Sequence, residues 1–94
     1  MTLRDIRKSS VERMESEIVR LEDKLQKMRA RHDDLQQTLF DACKKISDAP
    51  SSASLVRRTE ELKKQISESM VDIHHLDARI SKLKHRTERL RLHR

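Results

Sequence analysis

The chain has 94 residues, 34% apolar and 40% charged, with a formal charge of +6, no glycine and a single proline. That leaves too little apolar matter for a layered globular core. Without tryptophan or tyrosine, and with Phe40 as the sole aromatic, strands, tight hairpin turns and base-stacking platforms also lack material. The charged, leucine-rich, glycine-free composition predicts helix. No segment approaches the roughly 18 to 20 apolar residues of a membrane span, and the charged start at Arg4, Asp5, Arg7 and Lys8 does not read as a secretory signal, so a cytoplasmic protein is expected. The lone Cys43 has no partner for an internal disulfide, in keeping with a reducing compartment.

Residues 1–10 read as an N-terminal overhang. Thr2-Leu3-Arg4-Asp5 and Ser9-Ser10-Val11-Glu12 both resemble capping boxes, so the first helix can start at either. From residue 11 to 46 a 3-4 alternation runs through Val11, Met14, Ile18, Leu21, Leu25, Met28, His32, Leu35, Leu39, Ala42 and Ile46, the seam of a coiled coil. Residues 47–54 form a turn. Pro50 removes a helix hydrogen bond and biases Ala49 away from helix, while Ser51, Ser52 and Ser54 are candidate caps for a new one. Residues 55–92 carry a second seam: Leu55, Thr59, Leu62, Ile66, Ser69, Ile73, Leu76, Ile80, Leu83, Thr87 and Leu90.

The step from Ile46 to Leu55 fits neither seam spacing, so the heptad phase breaks at the turn. Folding back there pairs residues whose numbers add to about 101, such as Val11 with Leu90, Ile18 with Leu83, Leu25 with Leu76 and Leu39 with Leu62. The same register sets His32 against Ser69 as a polar layer and the small Ala42 against Thr59. The fold predicted is all-α, one domain, an antiparallel two-helix coiled-coil hairpin. The alternative is a parallel dimer of two long helices kinked at Pro50. Flanking charges do not decide: Glu17 with Arg86, Arg31 with Asp72 and Glu15 with Lys84 attract, whereas Lys24 with Arg79, Lys45 with Arg58 and Glu22 with Asp77 repel. Exposed pairs are in any case weak, so the apolar layers are expected to set the register.

One narrow seam is marginal for a solitary hairpin. Leu3, Ile6, Phe40, Cys43, Val56, Met70 and Val71 lie off it and outline a second apolar stripe, which suits a homodimer in the form of a four-helix bundle, or a helical protein partner. Basic residues gather at both chain ends: Arg4, Arg7 and Lys8 near the start, and Arg79, Lys82, Lys84, Arg86, Arg89, Arg91 and Arg94 near the finish. In a hairpin they make one basic tip. Cations in the last turn of the second helix suit its dipole, but those at the start of the first helix do not, which argues for a partner. An acidic protein surface is the favoured one, since no aromatic or glycine-rich element accompanies the charge to read bases; nucleic acid is possible and a membrane surface is not favoured.

Other chemistry is thin. No two of the five histidines stand four apart on a helix, and Cys43 is remote from His74 and His75, so no metal site or cofactor is predicted. Asp33-Asp34 and Glu60-Glu61 are adjacent on helices and point about 100° apart, without a cleft to share. No phosphate-cradling loop or nucleophile elbow exists, so neither an enzyme nor a small-molecule substrate is expected. In outline the arrangement resembles small RNA-binding hairpin dimers of plasmids, the coiled-coil stalk proteins and small chaperones of type III secretion, and the Rho-binding antiparallel finger. The likeness is of architecture alone, since no motif carries across. The reading is a non-catalytic coiled-coil adaptor or scaffold, with a nucleic-acid-binding hairpin dimer, or a chaperone or stalk component of a secretion-type assembly, as alternatives.

Overall fold

The computed structural model describes residues 2–49 and 51–92, and the side chains of all of these except Arg4 and Arg7. Pro50 and Arg94, to which the sequence reading gives a turn and a tip role, lie outside the described residues. The chain is an all-α helical hairpin of α1 (Leu3–Asp48) and α2 (Ala53–Leu92), with no strand among the described residues.

Both helices run further than their seams. Of the two candidate starts, α1 uses the first: the amide of Asp5 donates to Thr2 Oγ1 at 3.3 Å, and the amide of Thr2 donates back to Asp5 Oδ2 at 3.4 Å. This reciprocal cap gives the Thr2 amide a partner and adds to the bond of the Asp5 amide to the Thr2 carbonyl, and residues from Leu3 onward are helix. At the other end the Ala49 amide donates to the carbonyls of Lys45 and Ile46 at 3.0 and 3.1 Å, which carries the helix to the residue where the restriction before proline applies. Ser52 caps α2: its Oγ accepts from the Leu55 amide at 3.4 Å, three residues on. The helices thereby extend into the eight residues expected as a turn, α1 ending at Asp48 and α2 beginning at Ala53.

The chain resolves into two compact units. The turn unit is Lys27–Ile73, and the terminal unit is Met1–Gln26 with His74–Arg94. Within each, the two helices bury the seam the sequence marks: all eleven positions of both arms are buried or half-buried. The terminal unit buries Ile18, Leu21, Leu25, Leu76, Ile80 and Thr87, and leaves Val11, Met14, Leu83 and Leu90 half-buried. The turn unit buries Leu62, Ala42, Thr59 and His32, while Met28, Leu35, Leu39, Ile46, Leu55, Ile66 and Ile73 remain half-buried.

Two threonines sit among the buried residues at no polar cost. Thr59 Oγ1 donates to the Val56 carbonyl at 2.7 Å and Thr87 Oγ1 to the Leu83 carbonyl at 2.8 Å. Each hydroxyl is satisfied within its own helix.

Candidate interaction surfaces

In the turn unit the polar layer is present. His32 is 8% exposed, and its Nδ1 lies 3.2 Å from Ser69 Oγ. The bond joins residues whose numbers add to 101, the register expected from the apolar layers. A small polar pair in a seam leaves its large neighbours less cover. A shallow groove of about 200 Å³ opens beside it, lined by Met28, Arg31, Leu35, Gln65, Glu68, Ser69 and Asp72. Arg31 and Asp72, expected to attract, both line this groove without an ion pair at contact distance among the described residues.

The off-seam apolar residues of this unit are exposed: Phe40, Cys43, Val56, Met70 and Val71. By heptad position Phe40 and Cys43 on α1 and Val56 and Met70 on α2 belong to one flank, with Val71 adjoining it. The Lys44 ammonium lies 4.5 Å from the centre of the Phe40 ring, a cation–π contact that covers one face of the ring and leaves over half of the residue accessible. Leu3 and Ile6, assigned to the same stripe, are also exposed but belong to the terminal unit.

The terminal unit is built on charge. Three ion pairs cross between its helices: Glu17 with Arg79 at 3.8 Å, Glu22 with Lys84 at 3.8 Å, and Glu15 with Arg91. None is a pair expected from the sequence. Glu17 takes Arg79 in place of Arg86, Glu15 takes Arg91 in place of Lys84, and Glu22 escapes Asp77 by meeting Lys84. The correction has a geometric cause. Residue numbers in the observed pairs add to 106 on one flank and 96 on the other, bracketing 101, because long side chains reach diagonally along an antiparallel pair. On the 106 flank both side chains lean toward their own helix N-terminus, and therefore toward each other.

Glu15 Oε1 is cut off from solvent, and Arg91 is the charge set against it. Glu17 is held mainly by Arg20, whose Nε and terminal nitrogen donate to the two carboxylate oxygens at 3.0 and 2.5 Å. That hydrogen bonding, with the charges of Arg20 and Arg79 behind it, keeps the Glu17 carboxyl below its usual range and raises the Arg20 guanidinium.

The basic tip is thus not uniform. Arg79, Lys84 and Arg91 are engaged by glutamates of the same unit, whereas Lys8, Lys82, Arg86 and Arg89 form no ion pair among the described residues. The side chains of Arg4 and Arg7 lie outside the described residues. On α1 the exposed Arg13 and Lys24 belong with the second set, whereas Arg20 is paired with Glu17; of the three, Arg20 and Lys24 escape a reading based on chain ends. Their spacing along the helix was the available signal.

Among the described residues no group of three or more histidine, cysteine or carboxylate side chains could hold a metal ion, and no helix is long and apolar enough to cross a membrane. Cys43 is a free, exposed thiol. No protein-family model, curated protein or solved structure matches the chain. What the fold and these surfaces define is a class: an all-α helical hairpin with one apolar and one charged region.

Proposed function

We propose that the protein is a non-catalytic coiled-coil adaptor or scaffold of the cytoplasm that pairs with a second copy of itself through the turn unit. The observation that carries this reading is the incomplete burial there. Of the large aliphatic seam residues of Lys27–Ile73 only Leu62 is buried, and Phe40, Val56, Met70 and Val71 stand exposed beside them. Uncovered apolar area of this kind marks association surfaces. Phe40 and Cys43 come from one helix, and Val56 and Met70 from the other, on a common flank. A face built from both helices can meet its own copy about a two-fold axis and form a four-helix bundle, the closed and symmetric solution.

The test is the mass in solution of a Phe40→Glu, Val56→Glu variant against wild type, with the melting temperature alongside. The reading requires a wild-type dimer that dissociates, or melts lower, in the variant. A wild-type monomer would remove the second copy as occupant, and a variant dimer of unchanged stability would remove this flank.

A further inference from the structure

The charges of the terminal unit are sorted by flank, and the ion pairs identify the flanks. On the side joined by Glu17 and Arg79, α1 presents Arg13, Glu17, Arg20 and Lys24 at helical spacing, and α2 presents Arg79, Lys82, Arg86 and Arg89. Seven cations there face a single carboxylate, all seven exposed. On the side joined by Glu15–Arg91 and Glu22–Lys84, the carboxylates of Asp5, Glu12, Glu15, Glu22, Asp77 and Glu88 outnumber Lys8, Lys84 and Arg91. Charge kept only for solubility has no reason to separate in this way. Nor does the dipole of α2 explain it, since that effect is confined to the last turn and Arg79 and Lys82 stand well before it.

We infer that this basic flank, centred on Arg13, Lys82, Arg86 and Arg89, binds the backbone phosphates of a nucleic-acid duplex. The four cations of α2 span about 15 Å of helix, and Arg13, Arg20 and Lys24 make a second row beside them, a ladder of positive charge matched to a ladder of phosphates. Protein interfaces draw their energy from buried apolar or aromatic anchors. Between residues 10 and 26 and between 79 and 89 this flank exposes no large apolar side chain. Phosphate binding needs none, because release of condensed counterions drives it. The sole aromatic, Phe40, lies in the other unit, so no base can stack here and binding is independent of sequence. The inference does not rest on self-association through the turn unit.

The experiment is a salt titration of full-length protein with a mixed-sequence DNA duplex and the RNA duplex of the same sequence, with poly-glutamate and phosphatidylserine vesicles as competing polyanions. Three chains are compared: wild type, the flank variant Lys82→Gln, Arg86→Gln, Arg89→Gln, and a charge-matched control in the turn unit, Arg57→Gln, Arg58→Gln, Lys64→Gln. Glutamine keeps helix propensity, and circular dichroism checks it. The flank variant should lose at least about tenfold in duplex affinity, and its slope of log K against log salt should be shallower by about 2 to 3. The control should match wild type, and Arg86→Lys, Arg89→Lys should restore binding. Binding by either duplex in this pattern supports the site, and the two arms tell which backbone it takes. Equal losses in flank variant and control, no duplex binding at low salt, or poly-glutamate or vesicles bound as tightly as duplex would overturn it.

Discussion

The two units use the same seam grammar and reach different results. In the terminal unit large aliphatic residues close on one another until Leu21 is 2% and Ile80 3% exposed, and ion pairs brace both flanks. In the turn unit a histidine–serine layer and the small Ala42 take up seam positions, only Leu62 among the large residues is buried, and the flank exposes Phe40, Val56 and Met70 beside the Lys63–Glu60 ion pair. Two helices alone cover a seam where successive layers are large, as at Ile18, Leu21, Leu25, Leu76 and Ile80. Where layers are small or polar, neighbouring aliphatic groups keep accessible area that a further helix can cover.

The largest expected contrast is in core truncation. Leu21→Ala should cost about 3 kcal/mol, because it removes a buried side chain from a closed layer, whereas Leu35→Ala should cost about 1 to 2 kcal/mol, since Leu35 is already half-exposed. Chemical denaturation measures both. Under the proposed self-association the Leu35→Ala deficit grows with protein concentration and the Leu21→Ala deficit does not.

Next comes the polar layer. Ser69→Ala leaves the buried His32 ring without its partner and should cost about 1 kcal/mol. His32→Leu should instead raise stability while loosening the register, as buried polar residues in coiled coils trade stability for specificity. Spin-label distances across the seam, taken beside the denaturation curves, would show a broadened distribution; a variant both more stable and equally well registered would deny the layer that role.

The smallest effect lies at Glu17. Its carboxyl is held below the usual value of 4.5, chiefly by the Arg20 hydrogen bonds and then by the Arg20 and Arg79 charges. A depressed folded value means that the contribution is present above 4.5 and is lost as pH falls through the folded value. The group is exposed, so the change is slight. Melting curves of wild type and Glu17→Gln should converge in acid and separate a little near neutrality, and added salt should narrow the gap.

Much of this was legible in the sequence. Every position of the 3-4 alternation is buried or half-buried, the nine-residue step falls between α1 and α2, and His32 lies against Ser69 as the register of the apolar layers implies. The ion pairs were not legible. Facing positions in a helical net ignore the reach and lean of long side chains, so Glu15, Glu17 and Glu22 each found another partner than the nearest in register. The basic flank was missed because charge summed along the chain highlights ends. Arg20 and Lys24 join Arg13, Lys82, Arg86 and Arg89 only after the two helices are placed side by side. The reach of α1 back to Leu3 turned on which of two capping boxes is made, and the local sequence offered both.

Amide hydrogen exchange across a wide dilution series tests the difference between the units most directly. If the turn unit is completed by a second copy, amides of residues 27–73 gain protection as concentration rises, while those of 10–26 and 76–90 exchange at rates that do not depend on concentration. A uniform response along both helices, or none in residues 27–73, would contradict the account.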